Sequence, residues 1–125
     1  MTEKKKMTKP QRKRLIDNAV AHFETIIAGG LLGPIKVPEW DAEIYYKSTT
    51  TMAQEAAVIE LTQQGKTTEG LVVQLIIKAL DADGNPLFDM GDKHKLMRAT
   101  DPAVILRIVT SMNNDIKDKD DKAGN

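Results

Sequence analysis

The sequence predicts a mainly α fold, four to five helices around one core with a small two-stranded β ribbon, and three observations carry that prediction. Most of the chain falls into segments bounded by helix caps and stops, with apolar residues recurring at helical spacing. Two short runs, 35–37 and 43–46, alternate in the period of a strand. A chain of 125 residues, 41% of them hydrophobic, is long enough to close one core. With no cysteine it does so without disulfides, thiolate metal sites or a cysteine nucleophile, which fits a reducing compartment.

The first helix is announced by Thr8-Lys9-Pro10-Gln11, a Thr-x-x-Gln capping box with proline in the first turn, and is stopped by Gly29-Gly30. Within it Leu15, Ile16, Ala19, Val20, Phe23, Ile26 and Ile27 share an arc of about 140°, so one face is expected to be buried and the other wet. His22 lies at the edge of that arc, the place of a partly exposed packing residue rather than a ligand or base. From Leu31 to Asp41 two prolines and several turn-formers exclude a long helix. Ile35 and Val37 alternate with Lys36, and Ile44 and Tyr46 with Glu43 and Tyr45, which predicts a two-stranded ribbon joined through Pro38–Ala42. So small a ribbon needs a helix behind it.

The second helix is expected to start within Ser48-Thr49-Thr50-Thr51, where Thr51 and Gln54 offer another capping box, and to stop by Gly65. Its apolar residues disagree in direction: Met52, Ala56 and Ile59 share a face, while Val58 and Leu61 point more than about 100° away. Such a helix either packs on two sides or offers an apolar strip to a partner, a second copy included. The third helix, from Thr67-Thr68-Glu69, covers about 240° of its circumference with aliphatic side chains and leaves only Gln74 and Lys78 a polar strip, so it should be central. Asp81–Phe88 then reads as a turn returning Leu87 and Phe88 to the core. Its Asp81, Asp83 and Asn85 have the spacing of a calcium loop, but Pro86 stands where that loop bends on glycine and Asp92 where it needs glutamate. Asp92–Arg98 predicts a short helix carrying Leu96 and Met97. The last helix has Asp101 as N-cap and Pro102 at its first position, buries Val104, Ile105, Leu106, Ile108, Val109 and Met112, and closes at Asn113-Asn114.

Charge sums to zero, 18 basic against 18 acidic residues, but is unevenly placed. Residues 1–7 read as a disordered basic tail, 8–114 as a single helical domain, and 115–125 as a disordered charged tail. The basic arm alone makes no nucleic-acid face, and five aromatic side chains are too few for base-stacking platforms, so nucleic acid is not an expected partner. No apolar run approaches the length of a membrane span. His22 and His94 stand apart from each other and from metal-ligand spacing, no G-x-S-x-G elbow occurs, and Gly65-Lys66-Thr67 lacks the upstream glycine of a phosphate loop. No catalytic, metal-ligating or cofactor-binding residue is therefore nominated, and the chain is not expected to be an enzyme.

The order of features resembles one known family, the tail assembly chaperones of long-tailed phages. The likeness spans roughly residues 30–114. It lies in Val37-Pro38-Glu39-Trp40 ahead of a short strand, the Thr-rich cap of an amphipathic helix, the aliphatic helix running into Asp83-Gly84-Asn85-Pro86-Leu87-Phe88, and a closing helix ending Met112-Asn113-Asn114. Met52-Ala53-Gln54 after the second cap, where relatives are richer in acids and arginine, and the long first helix depart from the pattern. The resemblance implies a non-enzymatic protein of virion morphogenesis. It would bind the tape measure protein in the host cytoplasm, keep it soluble, and help bring in the major tail protein; in many such phages a ribosomal frameshift adds a longer product.

A chaperone of an extended helical client needs exposed apolar surface in charged surroundings. Leu31, Leu32, Trp40 and Tyr46 are the expected contact residues, with Val58 and Leu61 as a second strip for the client or for self-association. The alternative for each is a place in the core. Two other readings remain open, a small helical adaptor or antitoxin-like regulator with one protein partner, and a DNA-binding regulator. The latter would need a recognition helix rich in Arg, Asn or Gln.

Overall fold

A computed structural model describes residues 14–124, and the side chains of residues 14–114. The protein is mainly helical, with five α-helices and one antiparallel ribbon among the described residues. The chain divides into two compact units, Met1–Gly30 and Leu31–Asn125.

The first unit holds α1, Leu15–Ala28. The capping box at Thr8 and Gln11 lies outside the described residues. At the other end Gly29 and Gly30 donate their N–H groups to Ile26 and Ile27 O, which ends the helix as expected. The expected burial of one face is corrected: no residue of α1 is buried, Leu15, Ile16 and Val20 are exposed, and Phe23, Ile26 and Ile27 are half-covered. His22 is exposed.

The second unit opens with strands β1, Leu31–Val37, and β2, Ala42–Lys47, paired antiparallel with Leu32 opposite Tyr46 and Ile35 opposite Ile44. Alternation places Val37, Ile44 and Tyr46 on the inner face. The register slips between Leu32 and Ile35, where Gly33 takes φ +104 and its Cα lies so close to the partner strand that a Cβ would stand 2.9 Å from Ile44 O. A single 3-10 turn, Pro38–Trp40, joins the strands, and Asp41 completes it in the left-handed region that Asp tolerates.

Helix α2, Met52–Gln63, begins with the full Thr51–Gln54 capping box. Its inner side faces α3, Thr67–Lys78: a Cβ on Gly70 would meet Thr62 Oγ1, Val58 O and Leu61 Cβ. Val58 and Leu61 are thus the packing face, and Met52, Ala56 and Ile59 point to solvent. Helix α3 is central as predicted, burying Val72, Val73, Leu75 and Ile76. Its polar strip is tied down, Gln74 Nε2 donating to Asn113 Oδ1 (3.0 Å) and Lys78 Nζ lying 3.8 Å from Glu55 Oε2.

Past α3, Leu80 exchanges two backbone hydrogen bonds with Tyr45 on the outer edge of β2, both 2.8 Å. The Asp81 carboxylate accepts the Asp83 and Asn85 N–H groups, both at 2.9 Å, so the calcium-like spacing serves a turn. Phe88 packs on the core and Leu87 stays exposed. A 3-10 turn, Met90–Asp92, leads into α4, Lys93–Arg98, which buries Leu96. Helix α5 runs Pro102–Gly124, with Asp101 Oδ1 accepting the Ala103 N–H at 2.9 Å. The expected stop at Asn113-Asn114 is corrected, since the backbone stays helical to Gly124. The ribbon, α3, α4 and the first three turns of α5 enclose the buried core, which includes Ile108, Val109 and Met112.

Candidate functional site

The residues nominated from the sequence do not converge. Tyr46 is fully buried, its ring in the core opposite Leu32, and offers no surface to a partner. Alternation had already put it on one face with Ile44, and that face lies against the helices. Leu31 and Leu32 are half-buried at the start of β1, Leu32 packing on the core. Trp40 sits at the other end of the ribbon, half-buried, its ring edge-on to Phe88 with centroids 6.3 Å apart. Together they line an open depression of about 360 Å³ with Leu87 and Thr100 at its rim. Val58 and Leu61, on α2, are partly covered by α3 and form no free strip.

Apolar surface is exposed elsewhere. Besides Leu15, Ile16 and Val20 of α1, the exposed large apolar side chains among the described residues are Met52, Ile59, Leu87, Met90, Met97 and Leu106. Three of these form one feature. Met90 before α4, Met97 on α4 and Leu106 on α5 are 54%, 39% and 53% exposed. They border two adjoining depressions that share Met97, one of about 420 Å³ and one of about 230 Å³, the second floored by Leu71, Leu96 and Ile105. The signal for Leu106 was present in the sequence: on a helical wheel it stands about 160° from Ile108, outside the arc of Val104, Ile105, Val109 and Met112.

Ion pairs frame these surfaces. Arg107 grips Glu39 through both guanidinium nitrogens, at 2.7 and 2.8 Å, joining α5 to the 3-10 turn that carries Trp40. That hydrogen bond from Arg107 is the main reason the Glu39 carboxyl is pulled down to about 2, and Arg107 is shifted up in turn. Lys93 is hydrogen-bonded to Glu69, which lowers the Glu69 pKa and fixes α4 on α3. Both shifted carboxyls serve structural pairs. Among the described residues no three His, Asp or Glu side chains gather to hold a metal ion, and no helix is long and apolar enough to cross a membrane. Comparison with known protein families, with curated proteins and with solved structures finds no match to this chain.

Proposed function

We propose that this protein is a phage tail assembly chaperone that binds a long tape-measure-like helical protein, keeps it soluble in the host cytoplasm and assists recruitment of the major tail protein. The sequence resemblance over residues 30–114 suggests the role. The observation that supports it is the set of large apolar side chains left in solvent on a chain that is 29% charged, among them Met52, Met90 and Met97. Flexible thioether side chains adapt to many apolar partners, and interspersed charge keeps such a surface soluble. A contact made of a few half-exposed apolar groups is also weak enough for a growing tail tube to displace.

The test is to read the neighbouring genes for a very long helical open reading frame and, with one found, to express its product with and without this protein. The client is expected in the soluble fraction, bound to this chain, only when both are made. Equal solubility in both cases, with no co-purification, refutes the proposal and leaves a one-partner adaptor as the better reading.

A further inference from the structure

Helix α1 leaves its apolar face without cover. Leu15, Ile16 and Val20 are 81%, 55% and 49% exposed, Phe23, Ile26 and Ile27 are half-covered, and no residue of the helix is buried. The same unit, Met1–Gly30, is the basic part of the chain. It holds seven Lys and Arg, all within residues 4–14, against three acids, Glu3, Asp17 and Glu24, while residues 31–125 hold eleven basic against fifteen acidic. On the helical wheel Asp17 and Glu24 stand about 60° and about 40° beyond Val20, outside the apolar arc. A partner of this unit therefore meets an open aliphatic stripe preceded by excess positive charge. We infer that α1 and the basic residues before it form an in-plane anchor for an anionic lipid bilayer, the apolar arc sinking to the level of the acyl chains and the Lys and Arg residues meeting the phosphates.

Charge and stripe together select this occupant. In helix and strand alike, consecutive side chains project to different sides. A run such as Lys4-Lys5-Lys6 therefore finds no single protein face that pairs all its charges, whereas a diffuse layer of anionic headgroups does. Nucleic acid matches the charge but not the stripe: residues 1–14 hold no aromatic side chain to stack on bases, and Leu15, Ile16 and Val20 have no counterpart on a phosphate backbone. A second copy's α1 matches the stripe but not the charge. Paired parallel, the two basic runs would lie together; paired antiparallel, Asp17 and Glu24, on one edge of the arc, would oppose each other. With 14 residues α1 is too short to cross a bilayer and lies along its surface. Reversible surface binding of this kind needs both signals, the stripe and the charge.

Vesicle flotation of the full chain at about 0.15 M salt tests this. Vesicles of phosphatidylcholine with about one-third phosphatidylglycerol should bind at least about tenfold more tightly than phosphatidylcholine alone, and about 0.5 M salt should remove most of that preference. Ile16→Gln, which alters the stripe without altering charge, should weaken binding by about tenfold. Lys4→Gln, Lys5→Gln and Lys6→Gln together should weaken it by about tenfold or more, and Leu106→Glu in the second unit should change nothing. Far-ultraviolet circular dichroism checks that α1 persists in Ile16→Gln; the lysine variant, which leaves the helix sequence intact, decides if it does not. No binding to anionic vesicles, equal binding to both kinds, or undiminished binding in the lysine variant or in a folded Ile16→Gln overturns the inference. Self-association lost in Ile16→Gln without vesicle binding assigns the helix to a second copy, and capture of polyuridylate without vesicle binding assigns the basic run to nucleic acid; either overturns it too. The anchor is independent of the chaperone reading, whose test contains no lipid.

Discussion

Replacing Gly70 by alanine should stabilise the second unit, although the residue is buried where two helices meet. Gly70 lies in the second turn of α3. A Cβ there would stand 3.5 Å from Thr62 Oγ1, 3.7 Å from Val58 O and 3.8 Å from Leu61 Cβ, all ordinary van der Waals distances. The methyl group thus fits without moving α2, and the conformational freedom that glycine loses on folding no longer counts against the helix. In a helix interior that exchange is worth about 1 kcal/mol, and about half of it near a helix end, so the expected gain is about 0.5–1 kcal/mol. For a unit of this size that raises the melting temperature by about 2–8 °C. Gly70→Val should do the opposite, because its two γ-methyl groups must enter the space of Thr62 and Leu61, at about 1–3 kcal/mol of overpacking. Urea unfolding followed by far-ultraviolet circular dichroism measures both, with an unchanged denaturant slope as the check on two-state behaviour. Loss of more than about 0.5 kcal/mol in Gly70→Ala would mean that α2 and α3 pack too closely for a methyl group, and the assignment of Val58 and Leu61 to the inner face would need another basis.

Leu75→Ala, at a fully buried position of α3, should cost about 2–5 kcal/mol in the same assay, and a wild-type midpoint would show that this helix is not central. Gly33→Ala should cost about 1–3 kcal/mol, since φ is +104 and the new Cβ would meet Ile44 O at 2.9 Å; a neutral result would refute the close approach at the bulge. The Glu39–Arg107 pair gives a pH dependence whose sign follows from the lowered carboxyl. Its stabilisation is complete above the ordinary value of 4.5 and is lost as pH falls toward 2, so the melting-temperature gap between wild type and Glu39→Gln should be constant near neutrality and close across that acid window. A gap that already closes well above pH 4.5, or persists undiminished to pH 2, would contradict the pairing.

The parts of the fold legible in the sequence are those decided locally. Thr51 with Gln54 and Asp101 with Pro102 start their helices because the cap satisfies N–H groups within the same few residues. Ile35 and Val37 fall on one strand and Ile44 and Tyr46 on its antiparallel partner, as the alternation predicts, because strand periodicity fixes which side chains share a face. What alternation leaves open is which face meets the helices, and Tyr46 shows the consequence: correctly placed in its strand, it is in the core and not in the contact surface. Helix α2 shows the same limit more sharply. Apolar groups occur on both its sides, so composition does not choose between Met52 with Ile59 and Val58 with Leu61. The choice is made by partners distant in sequence: Gly70 makes room for the Val58 side, and Thr50 and Lys78 meet Glu55 there.

Helix α1 carries the argument furthest, because its reading was right about pattern and wrong about consequence. Seven apolar residues on one arc require a hydrophobic partner if they are to be dry, yet periodicity names no partner. The core of the second unit is closed by the ribbon, α3, α4 and α5, and α1, in the first unit, has no buried residue. An amphipathic helix with no buried residue is an unfilled binding requirement carried by the chain itself. The same holds for Leu106, an exposed aliphatic side chain that stands about 160° from Ile108 and outside the arc of the core positions of its own helix. Apolar residues that fit a helical pattern but miss the core are where folding and function separate, since their removal should leave stability nearly unchanged and alter what the protein can hold.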